Sequence, residues 1–261
     1  MKTLSLGIRL KIALALPLLC GGGVMAQMPG AGGPAGLDTA MLKLFGDIKA
    51  FSAKAQVRIL DDSQQEVISM PMDFAMLDGN VRIDMDLTQA KGSSMPAGAA
   101  DSLKQFGMAQ LSSITRRDKK LTYVAYPGPK MLLSMPLPTE ATTNSEAKME
   151  KTAQGKEDLD GHPCVKNKVV FRDDSGKSLE ALAWYATDDL KDFPLQIQTK
   201  EKENTSIVRF SQVKLAKPDA KQFDPPAGYT QYSNQQELMQ AIMIKMGQET
   251  PPKSPETEPK K

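Results

Sequence analysis

The chain has 261 residues, 40% hydrophobic and 25% charged, with 33 Lys+Arg against 31 Asp+Glu and a formal net charge of +2. That length holds one large domain or two small ones, and the composition is that of a soluble globular protein with material for a sizeable core. Basic residues form no clustered face, which argues against a nucleic-acid partner.

Residues 1–26 read as a secretory signal. Lys2, Arg9 and Lys11 form a basic start, "IALALPLLC" (Ile12–Cys20) is a short apolar run, and "VMA" (Val24–Ala26) before Gln27 fits the small-residue cleavage rule. The run is too short to span a bilayer, so the protein is not expected to be transmembrane. Export to the periplasm with cleavage near Ala26 is the expectation. Lipidation of Cys20 is the alternative, disfavoured by Leu19, where a lipid-attachment site wants a small residue. Cleavage removes three bases and no acid, leaving a nearly neutral chain whose one cysteine is Cys164, hence no internal disulfide.

The domain plan that follows is a leader at 27–37, a single folded body at 38–246 and a polar, proline-rich tail at 247–261 that is expected to be disordered. Asp38 can cap a short helix with Met41, Leu42, Leu44, Phe45 and Ile48 on its apolar side. The period then becomes two: Phe51, Ala53, Ala55, Val57 and Ile59 alternate with Ser52, Lys54, Gln56 and Arg58. Ile68, Met70, Met72, Phe74 and Met76 alternate next; after "LDGN" (Leu77–Asn80) come Val81, Ile83, Met85 and Leu87. Strands of this kind pair as an antiparallel meander.

A loop at 90–100 and a short helix near 101–109 follow, then a hairpin from "LTYVAY" and "KMLLSMP" around "PGP". Further strands are expected at 149–159, 163–171, 179–186, 194–200 and 204–215. "SNQQELMQAIMIKM" ends the body as a helix with a Ser233…Gln236 capping box and Leu238, Met239, Ile242, Met243 and Met246 near one side. The total is roughly eight to eleven strands with two or three helices and no βαβ alternation. The fold class is mainly β with α: a strongly curved antiparallel sheet forming a half-open barrel with helices on the concave side.

Familiar catalytic sets are missing. "DSGKS" (Asp174–Ser178) resembles the end of a phosphate loop, but the required earlier glycine falls on Phe171. His162, the only histidine, sits in "DGHPC" beside Cys164; two residues apart is too close for a base across a cleft, and zinc wants more ligands. Asp84 and Asp86 share a strand face with Arg82, as a solvated face would. Of Trp184 and Tyr185, one should point in and the other out. Neither a cofactor, a metal nor catalysis is expected.

Sixteen methionines against 5% aromatics is the unusual feature. Met70 and Met72 share a strand face, as Met239, Met243 and Met246 share a helix side. Three readings stand: ordinary core, a thioether Cu(I) site of an envelope metal binder, or an adaptable apolar cavity.

Several longer segments carry a resemblance. "LKLFGDIKAFSAKAQVRI" (Leu42–Ile59), "DGNVRIDMDL" (Asp78–Leu87), "GKEDLDGHPCVKNKVVF" (Gly155–Phe171), "LEALAWYATDDLKDFPLQIQ" (Leu179–Gln198) and "VRFSQVKLAKPDAKQFDPPAGY" (Val208–Tyr229) together resemble the periplasmic lipoprotein-carrier, LolA/LolB-like, superfamily over about 38–232. The resemblance implies a half-open β-barrel plugged by helices and holding acyl chains of lipids or lipoproteins, a role that needs no catalysis. Envelope proteins are further expected partners, and a monomer is expected. The expected cavity wall is Met70, Met72, Phe74, Ile83, Met85, Leu133, Met239 and Met243. One departure stands out. The carriers keep an arginine inside the cavity, whereas Arg58 and Arg82 fall at polar-face positions here. A structural or regulatory module on the same shell remains the third reading.

Overall fold

The computed structural model describes residues 42–137, 148–172, 178–190 and 192–249. The signal, the leader, Asp38, Met41 and the "DSGKS" residues before Ser178 lie outside the described residues, as does the tail from 250 onward; residues 247–249, expected as the start of a disordered tail, instead belong to the last helix.

The period-two segments form strands, and turn chemistry pairs them. β1 (Ala50–Leu60), β2 (Glu66–Leu77) and β3 (Asn80–Asp86) are consecutive and antiparallel. The β2–β3 turn places Asp78 at φ 50° and Gly79 at φ 82°, the left-handed pair that a tight hairpin needs. β4 (Gln110–Arg116), β5 (Leu121–Tyr126) and β6 (Met131–Pro136) continue the meander. A second meander runs β7 (Lys148–Leu159), β8 (His162–Arg172), β9 (Ser178–Ala186), β10 (Pro194–Glu201) and β11 (Asn204–Lys214). A short β12 (Thr230–Tyr232) adds to β6 in parallel.

All twelve strands make one curved, unclosed sheet in the order β12-β6-β5-β4-β3-β2-β1-β11-β10-β9-β8-β7. The two meanders meet where β1 pairs with β11, Ala55 opposite Phe210 and Val57 opposite Val208. The expected class is therefore the observed one. β4 and β12 were not foreseen. In β4 both faces are covered: Leu111 and Ser113 lie on one side and Ser112 and Ile114 on the other, all buried, so no alternation survives in the sequence.

Alternation sorts side chains between two cores. Met72, Phe74 and Met76 join the large inner cluster, while Ala75 and Leu77 join a smaller outer one with Ile114, Tyr123, Ala125, Leu132 and Phe223. The outer cluster is covered by the stretch after β11. Within it a 3₁₀ turn, Ala220–Phe223, is strapped down by Arg82 Nη1 donating to Gln222 O at 2.8 Å and Arg116 Nη1 donating to Phe223 O at 3.2 Å. The chain then rounds the β6 edge and places its last helix on the inner side.

Helices cover that inner side. α1 (Ala99–Gln105) leans Leu103 on it, with Phe106 just beyond, and α2 (Gln235–Glu249) buries Leu238 and Ile242 there. The cap of α2 is Asn234, whose Oδ1 accepts from the Glu237 N–H at 2.8 Å; Ser233 instead donates to the Glu237 carboxylate, so the expected capping box is displaced by one residue. Among the described residues the expected first helix is a 3₁₀ turn, Lys43–Phe45, ended by Gly46 at φ 55°.

That turn drops Phe45 into a cluster with Phe51, Phe74, Phe193 and Phe210, ring centroids 4.8 to 6.3 Å apart. The five rings come from the turn, β1, β2, the approach to β10, and β11, so they bind both meanders at the seam. Phe51 is fully buried, and Phe51→Ala is expected to cost about 3–5 kcal/mol in urea unfolding.

Candidate functional site

The inner face has two ends of different character. One is the phenylalanine cluster at the seam. The other is built of thioethers and branched aliphatics from β2 to β6. Met72 lies directly opposite Met85, and Phe74 opposite Ile83. On the other side Met72 faces Ala55 and Met70 faces Val57. Met108, Leu111, Met131 and Leu133 extend the same wall. Small Ala53 and Ala55 on β1 leave the long side chains of β2 their room.

Of the residues expected to line a cavity, Met70, Met72, Phe74, Ile83, Met85 and Leu133 are all buried in this one cluster. Met239 is half-buried against it. Met243 points away, 62% exposed, as does Ile244. The helix turns Leu238 and Ile242 inward, and residues one position on fall outside the buried stripe.

An opening borders the methionine end at Met108 and Met131. A gap of about 230 Å³ lies between the exit of α1, the β5–β6 turn and α2. Its walls include Phe106, Met108, Met131 and Ile242, with Lys104 and Lys245 among its lining residues. The backbone forms part of it: a Cβ on Gly128 would stand 2.0 Å from Gly107 O, so the two glycines let the chain segments touch. Sequence reading passed over this gap, because Gly107, Gly128 and the two lysines are far apart in the chain.

A second cleft, about 550 Å³, opens beside the 3₁₀ turn and is lined by Leu44–Ala50, Lys151, Asp192 and Leu215. Lys151 on β7 has an exposed stem, but its ammonium leans over the Tyr185 ring, 3.9 Å from the centroid. Burial pushes the Lys151 amine below its ordinary pKa, opposed by Asp192. Burial likewise pushes the Tyr185 phenol up, and the Asp192 charge adds to it. The Tyr185 hydroxyl is buried without a hydrogen-bond partner. Trp184 is as buried as Tyr185 and belongs to the same inner cluster, so the pair does not divide into one ring inside and one outside; its indole N–H donates to Glu157 Oε2 at 2.7 Å, and Lys166 covers its ring. A third cleft, about 360 Å³, lies across β1 to β4 and includes Asp73, Asp84 and Asp86.

The polar groups singled out in the sequence are mostly tied to structural partners. Arg82 holds Asp84 through two bonds of 2.7 and 2.8 Å, and Ser112 donates to Asp84 at 2.5 Å. Asp86 caps the turn after β3, and bonds from Thr88 and Gln89 keep its carboxyl below the usual range. Arg58 pairs with Glu66 on the outer face. Cys164 is a buried free thiol whose pKa burial raises. His162 Nδ1 lies 2.5 Å from Asp188 Oδ2, and Asp189 brings a third potential metal ligand within 4.8 Å. The two carboxylates come from the β9–β10 turn, and a cation there would have to displace the His162–Asp188 bond.

Solved structures similar to the chain include an uncharacterized conserved protein from Thermus thermophilus, at 12% identity and TM-score 0.43 over 74% of this chain and 96% of that one. A LolA superfamily protein from Nitrosomonas europaea matches at 11% identity and TM-score 0.40, over 70% and 93%. Lipoprotein LppX from Mycobacterium tuberculosis matches at 13% identity and TM-score 0.38, over 66% and 90%. No protein-family model and no curated protein matches the sequence.

Two outcomes are expected. Tyr185→Phe removes an unsatisfied buried hydroxyl and should raise the unfolding free energy by about 1 kcal/mol, or at worst leave it unchanged, in urea titration. The bond to Asp188 raises the His162 pKa and lowers that of Asp188. The histidine's contribution is therefore complete below its unfolded value of about 6.5 and is lost as pH climbs through the raised folded value. The stability gap between wild type and His162→Gln should be widest near pH 5–6 and close toward pH 9, within the roughly 1 kcal/mol of a solvent-accessible pair. Both ends of the comparison are read from urea midpoints.

Proposed function

We propose that the protein is a non-enzymatic periplasmic carrier that binds acyl chains of lipids or lipoproteins. One observation carries the reading: Met70, Met72, Met85, Met108 and Met131 lie in a single buried cluster, with a gap bordering it at Met108 and Met131. Thioether side chains rotate about three soft bonds and stay in contact with a flexible guest at little strain. Branched side chains would favour one packed arrangement. A tail gains about 0.8 kcal/mol for each methylene removed from water. In the described state the wall is covered by the protein's own side chains, so entry requires α2 and the methionines to move aside.

The known geometry suits transport better than chemistry. Asp84, Asp86 and His162, the polar groups singled out in the sequence, are spent on an ion pair, a turn cap and a bond to Asp188. Among the described residues no helix is long and apolar enough to cross a membrane. Envelope proteins that deliver or accept the lipid are the natural partners.

The test is native mass spectrometry of protein purified from its own envelope, together with uptake of a fluorescent fatty acid. Acyl species should co-purify and the probe should bind. The triple variant Met70→Leu/Met72→Leu/Met85→Leu conserves volume and should cost less than about 1.5 kcal/mol per site, yet weaken uptake. Ligand-free protein that takes up no probe would end the proposal.

A further inference from the structure

We infer that the gap between α1, the β5–β6 turn and α2 is the mouth of the acyl site, and that it selects a free fatty acid by holding the carboxylate between Lys104 and Lys245. This inference rests on the acyl-binding reading above and adds a ligand class and an entry point to it.

Charge separates this gap from the other clefts. The cleft beside the 3₁₀ turn mixes Asp47 and Asp192 with Lys49 and Lys151, and the outer trough sets Asp73, Asp84 and Asp86 beside Lys54. The gap at the helices is lined by Lys104 and Lys245 and by no carboxylate. Among the described residues neither lysine forms an ion pair. Lys245 reaches only the Pro129 carbonyl, at 3.3 Å, which leaves further ammonium donors for an oxyanion. The two ammonium groups belong to separate segments, one on α1 and one on α2, so an anion bridging them would also tie the mouth together.

The walls provide for the tail. Met108, Met131 and Ile242 line the gap and belong to the inner core, so an apolar chain passing the lysines meets the methionine wall without crossing a polar layer. At about 230 Å³ the gap is smaller than the roughly 300–1,000 Å³ of pockets that enclose drug-sized ligands. It is a mouth for one chain and its small head, which favours a fatty acid over a two-chain phospholipid. The glycine contact beneath it, Gly107 on Gly128, keeps backbone rather than side chain at the rim.

The experiment compares a dansyl-labelled long-chain fatty acid, its methyl ester and a lysophosphatidic acid for binding to the full chain by fluorescence titration. Lys104→Glu/Lys245→Glu should weaken the acid roughly tenfold and leave the ester within about twofold. Raised salt should weaken the acid alone, because exposed charges are screened. Should charge reversal unfold the helices, Lys104→Gln/Lys245→Gln carries the same test with a smaller loss. Three results would overturn the inference: an acid affinity indifferent to both double variants, an ester affinity that falls as far as the acid's, or a lysophosphatidic acid that outcompetes the acid with the same dependence on the lysines. Acid and ester both binding the wild type, with no lysine dependence, refutes the carboxylate site while sparing the carrier reading. If neither binds, the carrier reading fails with it.

Discussion

An unclosed sheet with an apolar concave face must keep that face out of water without help from a continuous ring of strands. Here the constraint falls on the β1–β11 seam, which joins two meanders that are distant in sequence. The five-phenylalanine cluster covers the seam from the inside, and its rings come from segments as far apart as Phe45 and Phe210. Removing that cluster would strip the seam of its aromatic cover and leave it to the β1–β11 backbone ladder. The free edges are handled differently. β7 carries Lys148, Glu150, Lys151, Lys156 and Glu157 and a bulge at Ala153/Gly155, devices that discourage pairing with other chains. β12 is three residues long and passes directly into the α2 region.

Away from the seam the inner face changes material. The phenylalanines interlock in edge-on and stacked geometries that favour one arrangement. The methionines do not, and they sit where α1 and α2 supply the cover. On the carrier reading proposed above, a rigid end and a yielding end on one sheet let the protein stay folded while part of its core is exchanged for a guest. The outer face helps: the Phe223 strap, held by Arg82 and Arg116, backs β2 to β6 from behind, so motion of the inner cover need not loosen the strands.

The same partition explains the position of the arginines. Arg58, Arg82 and Arg116 all project to the outer or rim side, where carboxylates and carbonyls satisfy them. An inward guanidinium would need its own buried partners to offset the loss of water. Cations instead approach the inner face at its margins, Lys151 over Tyr185 at one end and Lys104 and Lys245 at the other.

Much of the fold was legible because period two survives wherever one face of a strand is wet. β1, β2 and β3 show it, and their turns carry the residues that positive φ demands. β4 was invisible for the converse reason, since both its faces are covered, Ser112 and Ser113 are buried, and Ser112 finds its partner in Asp84 on the neighbouring strand. The methionine wall was readable from β2 and β3 alone, yet the orientation of α2 was not: Leu238, Met239, Ile242 and Met243 lie close together on a helical projection, and only packing against β6 decides that Ile242 is inside and Met243 outside. Sequence by itself determined the strands, their apolar face and its thioether character, because those follow from local alternation and composition. Which residues close over that face, and which lysines and glycines border one gap beside it, was decided by tertiary structure, because those contacts join segments that no local period connects.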